Sequence, residues 1–433
     1  MGCIGSKRVD YTMSTLPKLA PEIRESLSLD RASMPGSDQR LLSSSSSDRR
    51  ELRMFREWLS NDDEFNLDSA YRVNALTYRQ RMALSGVPEP IRWYVWRAVA
   101  GCSEIFKPGL YDEVRAVATK NVKWSFDNCR NPGESTFDIN SMSARSQRSG
   151  DHLIEPFERL RIEEIVALVK QDLCRTFPFS DFYKNDVNLA RLGNVIVSYA
   201  ALNREVGYCQ GMNFLAGLLL QLSDSEQETF WMLTLVMVRY NLQSLYMRDI
   251  PLLHLLKFQF EALLEEYVPR VHEHFAKLYV SPELYAVKWF FSLFAYSLPV
   301  DTVYPLWDFI FSACPPHQLH TGFWRAILLV ALAIVQLLHQ PLLRASSVCE
   351  VGRVFSQELC LLKPQRILAK ARSLDDKVMQ ATLEGLRAHW AEAHTDYNDT
   401  VSRGELVALL MPSAILEWRC FKRNQSNIMQ DSS

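Results

Sequence analysis

No run of apolar residues in this 433-residue chain is long enough to cross a bilayer: the longest, AILLVALAIV from Ala326 to Val335, is closed by Arg325 and Gln336. It reads as a buried helix rather than a membrane span. The nine cysteines are odd in number, scattered and never spaced C-x-x-C, and no cleavable secretory signal precedes them, so a reduced, cytoplasmic protein is expected. An excess of one charge is missing too. With 48 Lys plus Arg against 50 Asp plus Glu, no global field draws the chain to nucleic acid. No G-x-x-x-x-G-K-[ST] loop offers a nucleotide site. His272 and His274, like His317 and His320, lack a carboxylate or thiol at ligand spacing. The stretch DYNDTVSRGEL from Asp396 carries Val401 where a calcium loop needs glycine. No metal and no cofactor are therefore expected.

Alternating strands with hairpin turns are also absent, and no internal repeat is visible. What is present is helical periodicity. RIEEIVALVK places Ile162, Ile165, Val166 and Val169 on one stripe, and VNLARLGNVIVSYAALN does the same with Leu189, Leu192, Ile196 and Tyr199. Further helices are expected at about 226–240, 252–266, 282–297, 320–339 and 375–393. The fold class is all-α with no significant β-sheet.

Three regions depart from this pattern. Residues 1–50 form an expected disordered anchor and spacer, rich in serine and mixed charge from about residue 7. Its first residues, MGCIGSKR, place Gly2 and Ser6 as in an N-myristoylation site, with Cys3 beside them as a palmitoyl acceptor. One acyl chain anchors only marginally, so the second signal at Cys3 matters. The expected location is thus the cytoplasmic face of a membrane, held peripherally. A polar loop is expected near 121–155, and residues 351–433 are expected to form a helical extension with a disordered end.

Within the core region, three short segments mix polar side chains with special backbone signals. In GVPEPIRWYVW, Arg92 and Trp96 stand four apart on a helix started by Pro90, so they share a face and can stack. In VKQDLCRTFP, Val169, Asp172 and Arg175 line one stripe, and Pro178 ends helical geometry at Phe177, which places Arg175 in the last turn. Arg175 then either completes the helix dipole while paired with Asp172, or is a cation aimed outward at an anion. In EVGYCQGMNFLAGLLL, Gly207 and Gly211 permit a tight turn that carries Tyr208 and Gln210 into an apolar helix. Gln210 and Asn213 there either cap orphan N–H groups or, with Gln210 exposed, face whatever approaches the helix. Cys209, near a helix N-terminus, also fits an activated thiolate, with no histidine close in sequence.

Together these segments resemble the signature of the TBC-domain family, the GTPase-activating proteins of Rab small GTPases. That family carries R-x-x-x-W after G-[IV]-P, then I-x-x-D-x-x-R with T-x-P, then Y-x-Q within G-Y-x-Q-G-M-N. Here they stand in order as Gly86-Val87-Pro88 with Arg92 and Trp96, as Val169, Asp172 and Arg175 with TFP, and as Tyr208 and Gln210 in GYCQGMN. Val169 replaces the usual isoleucine, and the polar insertion separates the first two motifs. The resemblance implies a two-lobed, all-α domain over residues 51–350. It also implies that Arg175 and Gln210 act as two catalytic fingers supplied in trans to a GTP-bound Rab, with Asp172, Tyr208, Arg92, Trp96 and Asn213 in support. The chain would then activate an enzyme without being one, and so regulate vesicle trafficking. The alternative is a Rab-binding scaffold at a membrane that has no effect on hydrolysis.

Overall fold

The computed structural model describes residues 86–100 apart from Pro88, and 106–126, 162–247, 250–313 and 319–393. All belong to one structural unit. The residues of the expected acylation motif, the spacer, most of the polar insertion and the chain after 393 lie outside the described residues. Sixteen α-helices follow in order among the described residues. They are α1 (Glu89–Ala100), α2 (Leu110–Ala118), α3 (Ile162–Leu173), α4 (Asp186–Leu202), α5 (Met212–Ser223) and α6 (Glu226–Arg239). Then come α7 (Gln243–Tyr246), α8 (Pro251–Tyr267), α9 (Pro269–Lys277), α10 (Val287–Ser292) and α11 (Val300–Ser312). The last are α12 (Leu319–Leu337), α13 (His339–Arg344), α14 (Val348–Arg353), α15 (Pro364–Asp375) and α16 (Gln380–Ala393). Among these residues there is no strand.

The helix starts follow from local chemistry. Asn185 accepts a hydrogen bond from Val187 N at 2.9 Å to cap α4, and Ser225 caps α6 through Glu228 N at 3.3 Å. Pro251, Pro269 and Pro364 open α8, α9 and α15, where a missing N–H costs nothing.

Two helices act as hubs. α4 packs against α2, α3, α5 and α6, and its residues Val195 to Ala201 are buried. α12 packs against α8, α11, α15 and α16. Its stretch Ala326–Val335 is sealed from solvent, as the apolar run implied. No helix among the described residues is long and apolar enough to cross a membrane. The two groups meet where α1 lies on α11 and α5 lies on α10.

Two expectations need correction. The helix expected over 282–297 is a 3-10 turn at Pro282–Leu284 followed by the short α10. Leu293 and Phe294 leave it with φ of 46° and 70°, in a left-handed geometry that glycine usually takes. The break lets Trp289, Phe290, Phe291, Leu293 and Phe294 all point inward, which a continuous helix on the surface of a core cannot do. The helix expected over 375–393 starts later, at Gln380, as α16. The Arg325 guanidinium on α12 bonds the carbonyls of Asp375 and Val378, the latter at 2.8 Å, and so separates α15 from α16. At the start of the expected polar loop, residues 121–126 form neither helix nor strand and are anchored on α4. Trp124 donates to Asn194 Oδ1 at 2.8 Å and lies over Gly193 of α4, where a Cβ would stand 2.5 Å from its ring.

Candidate functional site

α3 buries Ile165, Val166, Val169 and Leu173, and the same stripe carries Asp172 into the interior. The helix ends at Leu173, so Arg175 stands just beyond it rather than in its last turn. A tighter turn takes over: Arg175 N and Thr176 Oγ1 both donate to the Asp172 carbonyl, at 3.2 and 2.7 Å. Phe177 then adopts φ of 49°, a conformation unfavourable for an aromatic residue and held here by packing. Its ring stands edge-on to Phe214, 5.4 Å between centroids, and stacks on Tyr183 at 6.1 Å. Gly217 of α5 makes room, since a Cβ there would come within 3.0 Å of the Phe177 ring.

The second segment closes a turn around Gln210. Met212 N donates to the Cys209 carbonyl at 3.2 Å, and Gly211 follows with φ of 112°. A side chain at Gly211 has no space, because its Cβ would lie 2.9 Å from the Phe291 carbonyl oxygen. That carbonyl is itself held by the Tyr246 hydroxyl at 2.5 Å. Gly211→Ala is therefore expected to destabilise the protein by about 1–3 kcal/mol from backbone strain alone. Urea unfolding reads this directly, and an unchanged midpoint would mean that the turn relaxes freely.

The two segments are bound together through Asp172. Its Oδ1 pairs with the Arg175 guanidinium, and its Oδ2 accepts from the Tyr208 hydroxyl. Burial lifts the Asp172 carboxyl above the usual range, with the Tyr208 and Arg175 donors opposing it. Burial, followed by the Asp172 charge, likewise holds the Tyr208 phenol protonated. A second bridge runs through Asn213, whose Nδ2 donates to Thr176 Oγ1 at 2.7 Å while its Oδ1 accepts from Gly211 N at 3.0 Å. Asn213 thus satisfies a turn N–H and also clamps the Arg175 segment.

Gln210, expected to be exposed, is only 8% exposed. The turn folds down against Phe291 instead of standing away from the protein. Among the described residues the Gln210 amide forms no hydrogen bond with a protein group. Arg175 keeps 31% of its side chain in solvent despite its pairing with Asp172.

Arg92 and Trp96 do share a face, but they meet at a third residue rather than stacking on each other. Asp308 of α11, fully buried, accepts from Arg92 Nε at 3.2 Å, Arg92 Nη2 at 3.3 Å, Trp96 Nε1 at 2.8 Å and Val87 N at 2.9 Å. Burial raises the Asp308 carboxyl, and these donors pull it back. Arg92 also lies over the Tyr304 ring at 5.4 Å, and Trp96 packs against Tyr304, Trp307 and Phe311. This node fastens α1 to α11. Its links toward the Gln210 turn are indirect: a 3.4 Å bond from Tyr304 Oη to Leu218 O of α5, and a 2.9 Å bond to Leu293 O from Nε1 of Trp307, which packs on Trp96. Sequence reasoning missed Asp308 and Thr176. A lone carboxylate inside PLWDFIF was the available signal for the first.

A family model described as the Rab-GTPase-TBC domain matches residues 89–343, more than half of the chain. The chain belongs to that family. The match begins just after Gly86-Val87-Pro88, takes in Arg92, Trp96 and the second and third segments, and stops before α14, α15 and α16, of which α15 and α16 pack on the second hub. Human "TBC1 domain family member 1" is 37% identical over 142 residues, 32% of this chain and 12% of that protein. The "Rab GTPase-activating protein eat-17" of Caenorhabditis elegans is 37% identical over 142 residues, 33% of this chain and 16% of that protein. The "GTPase-activating protein GYP5" of Saccharomyces cerevisiae is 35% identical over 145 residues, 34% of this chain and 16% of that protein. The similarity therefore spans less than a fifth of these curated relatives. Among solved structures, the Chlamydomonas flagellar RabGAP TBC domain superposes with a TM-score of 0.56 at 19% identity, covering 78% of this chain and 96% of that one. The Ypt/Rab-GAP domain of Gyp1p gives 0.54 at 16%, covering 76% and 97%. Both share the fold.

Proposed function

We propose that this TBC domain accelerates GTP hydrolysis by a Rab-family GTPase in its GTP-bound form, lending Arg175 and Gln210 to the partner's nucleotide site. The observation that carries this reading is the Asp172 carboxylate, which holds the Arg175 and Tyr208 segments together beside Gln210. Phosphoryl transfer to water needs positive charge on the developing γ-phosphate oxygens and an oriented water molecule, and little covalent help. The Arg175 guanidinium supplies the charge through a fork of donors. The Gln210 amide can both donate to and accept from a water, and it has no protein partner to give up among the described residues. Arg175 has to exchange Asp172 for phosphate, and a side chain that is already 31% exposed supports this. Asp172, Tyr208, Thr176 and Asn213 hold the two fingers at a fixed spacing, which lowers the entropy lost at the transition state.

The test is single-turnover GTP hydrolysis across a panel of purified Rab proteins, with wild type, Arg175→Ala and Gln210→Ala. Acceleration by wild type and its loss in both variants supports the two-finger reading. Binding without acceleration would leave a scaffold.

The same reading places the protein on a membrane through acyl chains on Gly2 and Cys3, where it would regulate vesicle trafficking. It rests on the MGCIGS motif alone. Gly2→Ala is expected to abolish myristate incorporation and shift the protein from the membrane to the soluble fraction on cell fractionation. Unchanged membrane recovery would remove the anchor from the proposal.

A further inference from the structure

The turn that carries Arg175 also carries an aromatic side chain that the fold does not use. Phe179 is 87% exposed, whereas Phe177, two residues earlier, is packed against Tyr183 and Phe214. A single exposed apolar residue is ordinary on any surface. What distinguishes Phe179 is the rigidity of its platform and its position.

The platform is tied down on both sides. Upstream, Thr176 bonds the Asp172 carbonyl and Asn213. Downstream, Ser180 N donates to Phe177 O at 2.9 Å, Tyr183 N to Ser180 O at 3.1 Å, and the Tyr183 hydroxyl to Gly217 O at 2.6 Å. A phenyl ring presented on fixed backbone loses little entropy when it is covered, which is the property of an interface anchor.

The position follows from chain length. Phe179 lies four residues from Arg175, so their Cα atoms are at most about 14 Å apart. The turn at Phe177–Ser180 shortens that further. One side of a standard protein interface covers about 800 Å², a disc of roughly 16 Å radius. A partner that takes Arg175 into its nucleotide site must therefore spread over Phe179 as well.

We infer that Phe179 is a docking residue for the GTPase, its ring seated on apolar surface beside the partner's nucleotide site, where it contributes to complex formation rather than to the chemical step. This inference rests on the activating role proposed above. It goes further in naming a contact outside the three motifs, one that contributes to the choice of partner.

The test measures dissociation constants for Rab proteins loaded with a non-hydrolysable GTP analogue, using full-length wild type, Phe179→Ala and Phe179→Leu. Removing a buried ring is expected to weaken binding on the order of tenfold to a hundredfold, with leucine intermediate. Because the ring is exposed in the free protein, the urea midpoint of Phe179→Ala should match wild type. In single-turnover assays the half-saturating concentration should rise while the rate at saturation is kept. Equal affinities for wild type and Phe179→Ala would overturn the inference, as would a fall in the saturating rate with unchanged half-saturation. Should wild type bind a GTPase without accelerating it, the activating role fails while the binding comparison still decides for or against Phe179. Absence of binding to every GTPase tested would overturn both.

Discussion

Arg175→Ala is expected to lower the acceleration of GTP hydrolysis by on the order of a thousandfold or more at saturating protein, the scale of an arginine finger supplied in trans. The expectation depends on what the guanidinium does in each state. In the free protein it pairs with a buried carboxylate beside a tyrosine hydroxyl. In the complex it would meet charge that develops on the phosphoryl oxygens only in the transition state, so its loss appears in the rate and much less in binding. Arg175→Lys should recover little, since an ammonium is a point charge without the bidentate fork. Gln210→Ala should be milder, about a hundredfold, as for removal of one preorganised polar group. Arg175→Ala should fold, because Asp172 retains its Tyr208 hydrogen bond. Full acceleration by Arg175→Ala would place the finger elsewhere.

The second large effect is on stability. Asp308→Ala is expected to cost about 3–5 kcal/mol, the usual result of removing one partner of a buried ion pair. It removes an acceptor from Arg92, Trp96 and Val87 together, and leaves the Arg92 guanidinium buried with the Val87 carbonyl, 2.6 Å away, as its remaining hydrogen bond. Arg92→Ala should approach the same cost from the other side, and the double variant should cost much less than the sum. Urea unfolding measures all three. Because this node joins α1 to α11 and reaches the Gln210 turn through intermediates, Tyr304 on Leu218 O and Trp307 on Leu293 O, the saturating hydrolysis rate per folded molecule should change no more than a few-fold. A large fall in that rate with an unchanged unfolding midpoint would instead make Arg92 and Trp96 direct supports of the fingers.

Much of this molecule was legible from one sequence. The long periodic segments at Ile162–Leu173, Asp186–Leu202 and Glu226–Arg239 formed helices close to the expected bounds, because a continuous apolar stripe needs no distant partner to be recognised. The aromatic stretch around Trp289 was misread as one helix, since burial on every side erases the periodicity that marks a helix and hides a break. The helix expected over 375–393 formed from Gln380 onward, and its later start was hidden for a related reason: Arg325, which bonds the carbonyls of Asp375 and Val378 ahead of it, lies 50 residues from Asp375 in sequence.

The site divides along the same line. Local order determined that α3 gives way near Pro178 with an arginine close to its end, that glycines frame Gln210, and that Asn213 stands at a helix start, since backbone geometry there depends on a few neighbouring residues. Only the tertiary structure decided that Asp172 reaches Tyr208 across 36 residues, that Asp308 collects Arg92 across 216, and that Gln210 is buried where exposure was expected. The physical reason is that a buried polar side chain must find a partner wherever packing brings one. The sequence shows the group, and the packing of the helices chooses its partner.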